Sequence, residues 1–268
     1  METSKMVLLK KNMKNLLFLL FLSFIIKINA QNSDVIGDIS YHHTINNNNE
    51  IIEQNYNLIF NRTASYYEEI VAGKLEKGEV VQEDGTIFIK TRGSKLPQYY
   101  LNKLDGGFYF DEIFYDTHLF VKDSIDHKWN LTNETKKING FICEKANGKF
   151  RGREFTAWFT NDIKTPFGPW KLFGLPGLII EAYDNNGFIK ISATNIIINS
   201  TLIENKQIQQ INLDGAISLN KYFLKKLKLE EMFLEKLNSR MPKGSKPIKI
   251  DRNCKDCGKE LEDYNAKN

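Results

Sequence analysis

Residues suited to metal or nucleophilic chemistry are scarce in this 268-residue chain, which holds four histidines and three cysteines. There is no His-Glu-x-x-His, no Gly-x-Ser-x-Gly and no EF-hand loop, so the zinc-protease, serine-hydrolase and calcium-loop signatures are excluded. A tetrahedral zinc site takes four nitrogen or sulfur ligands. Cys254 and Cys257 would need Cys143 and one of His42, His43, His118 or His127 to complete one. His42 and His43 are adjacent, and neighbours on a strand point to opposite faces, so the two cannot readily share an ion. Excess charge of one sign is also missing. Residues 1–30 contain five lysines and one glutamate of the chain's 37 basic and 33 acidic residues, which leaves 32 of each sign in the remainder. A nucleic-acid surface requires a clustered basic excess, and no nucleic-acid partner is expected. Long apolar runs are limited to Leu16–Ile26, broken by Ser23. That is shorter than the roughly 20 residues of a membrane-spanning helix.

What is present begins with an address. Lys10, Lys11 and Lys14 precede the apolar run, and Ile28-Asn29-Ala30 closes it on a small residue, the layout of a secretory signal peptide over residues 1–30. No cysteine adjoins that point, so there is no lipoprotein attachment signal. The expectation is an exported, soluble protein, periplasmic or extracellular, without an integral span after cleavage. The next 211 residues, 31–241, suit a single β-rich domain, followed by a polar tail over 242–268.

Residue periodicity predicts the fold class: mainly β, a curved antiparallel sheet or open half-barrel with one C-terminal amphipathic helix. Tyr56, Leu58 and Phe60 share a face of a strand within Ile51–Arg62. Phe155, Ala157 and Phe159 alternate with Thr156, Trp158 and Thr160 along another. Glu83-Asp84-Gly85 and Asp184-Asn185-Asn186-Gly187 lie between β-rich runs, and Asp-Gly and Asn-Gly supply tight hairpin turns. Asn46–Asn49 reads as a loop insertion. From about 218 to 240 the period changes, with Leu219, Phe223, Leu227, Leu234 and Leu237 at helical spacing, and Met241-Pro242 stops the helix.

Gly168-Pro-Trp-Lys-Leu-Phe-Gly-Leu-Pro-Gly-Leu-Ile-Ile-Glu181 concentrates three glycines and two prolines in fourteen residues. Leu175-Pro176-Gly177-Leu178 fits a type II turn, with proline setting φ and Gly177 taking the positive φ, while Gly174 allows close backbone approach. A phosphate loop is excluded because the Gly-Lys-Ser/Thr ending and following helix are absent. The structural motif is therefore Gly168, Pro169, Gly174, Leu175, Pro176, Gly177, Leu178 and Ile179. The segment Gly174-Leu-Pro-Gly-Leu-Ile179 resembles the hexapeptide of the GLPGLI family of exported bacterial envelope proteins. It is accompanied by Trp129, Ile138-Asn-Gly-Phe-Ile-Cys143, Ala157-Trp-Phe-Thr160 and Gly168-Pro169. The resemblance implies a β-rich envelope protein and carries no agreed catalytic residues.

The remaining candidates are weighed against their structural roles. Cys254-Lys-Asp-Cys257 lacks the helix start of a redox dithiol and the histidine of a haem attachment site, and reads as a local disulfide or a pair of inert tail thiols. Cys143 reads as a buried hydrophobe. Arg151 and Arg153 are two apart and would project from one strand face, either as an anion-binding pair or as the ordinary charges of a surface strand. The sequons beginning at Asn61, Asn130, Asn133 and Asn199 follow from high asparagine content. No catalytic residue and no cofactor is assigned. The expectation is a non-catalytic carrier for a hydrophobic ligand or an envelope protein partner. A thiol-redox or metal protein using Cys254 and Cys257 is the first alternative, and an envelope hydrolase the second.

Overall fold

The computed structural model describes residues 36–249 apart from 48–49, 71–77, 82–86, 91–97, 103–105, 115–116, 200–207 and 209–211. The segments 1–30 and Cys254 with Cys257 lie outside these residues.

Two meanders build one sheet. The first runs through β1 (Gly37–Asn47), β2 (Glu50–Phe60) and β3 (Ala64–Glu69). It then passes through a separate hairpin of β4 (Gly78–Val81) and β5 (Ile87–Lys90), and resumes with β6 (Gln98–Asn102), β7 (Gly107–Phe114) and β8 (Thr117–Asp123). The second comprises β9 (Asn130–Ile138), β10 (Phe141–Phe150), β11 (Arg153–Thr160), β12 (Leu178–Asp184) and β13 (Ile189–Ile198). β13 pairs antiparallel with β1 and joins the halves. A short β14 (Ile217–Ser218) lies parallel to β8 and leads into helix α1 (Leu219–Ser239). Among the described residues the strand order is β14-β8-β7-β6-β3-β2-β1-β13-β12-β11-β10-β9, open at both edges. The fold is mainly β, with one C-terminal helix.

Connectivity forces this sheet to curl. β8 and β9 are ten neighbours apart in the order, which in a flat sheet is about 48 Å at roughly 4.8 Å per strand. The chain joins them through the six residues Ser124–Trp129, a reach of at most about 24 Å. The curl is tied by the buried Asp123 at the end of β8, whose carboxylate accepts two hydrogen bonds from Arg151 Nη2 at 2.8 and 3.0 Å in the β10–β11 turn.

The long β11–β12 loop, 161–177, fills the concave face. Phe167, Trp170, Leu172 and Leu175 are each at most 4% exposed. Phe167 meets Phe60 of β2, Phe173 stacks on Phe108 of β7 at 5.6 Å, and Trp170 lies edge-on to Phe150 of β10 at 5.7 Å. The loop thus touches strands from both halves of the curl. Between it and Tyr67, Tyr99 and Phe108 the remaining space is about 10 Å³, the room of about one water. An apolar ligand has no space there, because Trp170 and Phe173 of the loop and the facing aromatics of β3, β6 and β7 fill it.

Two local expectations change. Asn46 and Asn47 are not an insertion: they pair with Ile51 and Glu50 as the end of β1, a strand absent from the sequence reading. The β12–β13 hairpin forms across Asn185–Phe188 with a single positive φ, at Gly187 (72°). The Asp184 carboxylate does the rest of the turning by accepting the backbone N–H groups of Phe188 and Ile189.

Candidate functional site

The sequence motif around Gly168–Ile179 is a packing device whose two key glycines have exchanged their expected roles. Gly174 takes the positive φ of 89° in open surroundings, and Gly177 lies outside the positive-φ region. A Cβ on Gly177 would sit 1.9 Å from the Thr160 carbonyl oxygen, so Gly177 permits the close approach. No type II turn with Gly177 in the left-handed region forms, and the end of β11 occupies the space a Cβ there would need. Gly168 likewise faces the Leu172 carbonyl, and Pro169 accepts the Leu172 N–H. Leu175, Leu178 and Ile179 are buried, whereas Pro176 is exposed. Tyr41 donates from its hydroxyl to the Ile179 carbonyl at 2.7 Å.

The other sequence candidates disperse. Cys143 is fully buried in β10, and burial pushes its thiol up to about 11. His43 points into the core and His42 outward, where it meets Asn55. Burial, then the neighbouring His42, pulls His43 down to about 3, and its neutral ring shares a hydrogen bond through Nε2 with the Tyr67 hydroxyl at 2.5 Å. Burial also lowers His127, which donates to the Lys171 carbonyl. Arg151 and Arg153 do not form an anion-binding pair. Arg151 turns away at φ 48° to Asp123, while Arg153 bonds Asp184 at 3.1 Å and covers the Phe188 ring at 4.0 Å. Among the described residues no group of three or more histidine, cysteine or acidic side chains could hold a metal ion.

What the fold does assemble is a polar groove of about 870 Å³ over the β9 end of the sheet. The β8–β9 connector supplies one wall by simple alternation. Ile125, His127 and Trp129 face inward, and Ser124, Asp126, Lys128 and Asn130 face out. Gly148 lets this connector lie close, since a Cβ there would be 2.8 Å from the Trp129 ring, whose Nε1 donates to the Phe173 carbonyl. Cross-strand register supplies the floor. Asn130 pairs with Asn147, Asn147 with Thr156, and Thr156 with Tyr183, one row across β9 to β12. Asn185, held by its N–H to the Glu154 carbonyl, closes the row. Thr156 Oγ1 lies 3.0 Å from the side-chain oxygens of both Asn147 and Asn185.

Two of the three lysines lining the groove are paired within the protein. Lys149 pairs with Glu154 at 3.0 Å and Lys145 with Glu134 at 2.8 Å. In the next row Trp158 is covered by Lys136 at 4.3 Å from its ring. Burial opposes ionisation of Glu181 there, but ion pairs with Lys136 and Lys190 outweigh it and hold the carboxyl below its ordinary value. Sequence reasoning missed Asn147, Thr156, Tyr183 and Asn185 because nothing local marks them. Only the register between four strands makes them neighbours.

The family model described as "N-glycanase peptide, N-terminal domain" matches residues 39–218, which include every residue lining this groove. The chain belongs to this N-glycanase N-terminal-domain family. Two crystal forms of PNGF-II are similar in structure, both at 17% identity over 73% of this chain, with TM-scores of 0.48 and 0.49. The matches cover 33% and 34% of those chains, so this chain spans about a third of the PNGF-II length. No match is found among curated proteins.

The family match corrects three expectations. Kinship is to the N-glycanase N-terminal domain and not to the GLPGLI family. The hexapeptide reports a local packing demand, a glycine forced against Thr160, and such a demand can recur without kinship. The bacterial-envelope label drawn from that resemblance goes with it. The carrier of apolar ligands is also overturned by this match, and neither of its alternatives gains support. Among the described residues, no helix is long and apolar enough to cross a membrane.

Proposed function

We propose that this chain engages N-glycosylated polypeptide, with the groove over β9–β12 as its glycan-contacting surface. The observation that carries the reading is the groove's lining. Three asparagine amides, a threonine hydroxyl and one tyrosine stand among three lysines and two carboxylates, of which Lys149 pairs with Glu154 and Lys145 with Glu134 just outside the lining. Amides and hydroxyls offer both donors and acceptors, which suits a neutral, polyhydroxylated ligand better than an anionic or apolar one. The volume falls in the roughly 300–1,000 Å³ range of small-molecule sites, room for more than one sugar ring. Membership in a family described by N-glycanase supplies the link to N-linked glycans. We also take the chain to be exported, a reading supported by the basic-then-apolar layout of residues 10–30.

The test compares one glycoprotein before and after removal of its N-glycans, by isothermal titration or surface binding. The expected result is binding to the glycosylated form and at least a tenfold loss after deglycosylation. Equal binding of the two forms, or of neither, would overturn the proposal.

A further inference from the structure

The hydroxyl of Thr156 poses a hydrogen-bonding constraint. It lies 3.0 Å from an amide oxygen on each side, Asn147 and Asn185, yet it carries one proton. It donates to only one carboxamide, and the arrangement that satisfies both contacts has the other turn its NH2 group to donate to the hydroxyl oxygen. Whichever amide turns, the outer atoms of the pair differ. One side chain presents an N–H donor to the groove and the other a C=O acceptor. Thr156 is 4% exposed and held between β10 and β12 by register, so this polarity is built from beneath.

We infer that Asn147, Thr156 and Asn185 form a clip for the acetamido group of an N-acetylhexosamine, with Tyr183 beside it to cover a face of the sugar ring. This rests on the proposal that the groove takes glycan. An acetamido group carries one N–H and one C=O, the complement of the clip's acceptor and donor. A carboxylate or phosphate oxygen only accepts, and would meet the clip's carbonyl unfavourably. Of the three lysines lining the groove, Lys145 and Lys149 pair with Glu134 and Glu154, and Lys128 is balanced in charge by Asp126 on the same outward face of the connector. Tyr183 lines the groove half-buried, directly across from Thr156 in the β11–β12 register.

The experiment titrates the full chain with N,N′-diacetylchitobiose and, separately, with cellobiose, which has the same β1,4-linked rings without acetamido groups. Binding is read by calorimetry and by side-chain amide NMR signals of asparagine. Chitobiose is expected to bind at least tenfold more tightly than cellobiose and to shift the Asn147 and Asn185 signals. Asn185→Ala lies on an exposed turn and is expected to fold, as checked by circular dichroism, and to weaken chitobiose binding about tenfold. Thr156→Val is expected to do the same, with Thr156→Ser restoring it. Equal binding of the two disaccharides, or unchanged affinity in Asn185→Ala, overturns the clip. If neither disaccharide binds while the glycoprotein still does, the clip falls and glycan engagement stands. If the glycoprotein also fails to bind, both fall.

Discussion

A methyl group on Gly177 would overlap the Thr160 carbonyl, whereas one on Gly174 would meet nothing within 4 Å and suffer only from its φ of 89°. Gly174→Ala should therefore cost about 1–2 kcal/mol of left-handed strain. Gly177→Ala, which must push two backbone segments apart, should cost about 3 kcal/mol or more. Urea denaturation of the two variants gives the ranking, and a larger loss for Gly174→Ala would refute the assignment of their roles. His43 makes the second residue-scale prediction. Its folded value is about 3 because burial disfavours the imidazolium, against about 6.5 in an unfolded chain. Between these values the unfolded chain binds a proton that the folded protein excludes. Stability is therefore full above about pH 6.5 and declines on acidification toward pH 3, by up to about 1.4 kcal/mol per pH unit. Denaturation midpoints from pH 7 to 4 should fall accordingly, and His43→Gln should flatten that slope while His127 keeps a part of it.

At the scale of elements, the β8–β9 connector and the β11–β12 loop decide the shape. A six-residue link between strands ten places apart demands the curl, and the loop's aromatics fill what the curl encloses. Asp123 and Arg151 fasten β8 to the β10–β11 turn, with Lys171 of the loop 3.8 Å from the same carboxylate. Removing one partner of a buried ion pair strands the other charge, at about 3–5 kcal/mol. Asp123→Ala is expected to show that loss in thermal or chemical unfolding, and a change under about 1 kcal/mol would mean the fastening is incidental. Alternation along Ser124–Asn130 was within reach of a sequence reading, since inward Ile125, His127 and Trp129 follow a period of two. It was missed because charged and polar residues occupy every other position, which resembles an ordinary loop.

Over the whole molecule, the outer face offers a polar groove, and among the described residues the β11–β12 loop packs against the concave face. The binding experiments with glycoprotein and disaccharides belong to this scale, because the groove exists only when four strands and a connector are in register. Residue order alone determined the local chemistry: strand alternation at Phe155–Thr160, the Asp184–Gly187 turn and the amphipathic run of α1 are short-range patterns of side chain and backbone. It also announced that Gly168–Ile179 was constrained, but not which glycine carried which constraint. The tertiary structure decided that, together with the partners of Arg151 and Arg153 and the meeting of Asn147, Thr156 and Asn185. These depend on contacts between residues up to dozens of positions apart. Periodicity records which face a residue prefers, and only the closed register of the sheet selects what it will face.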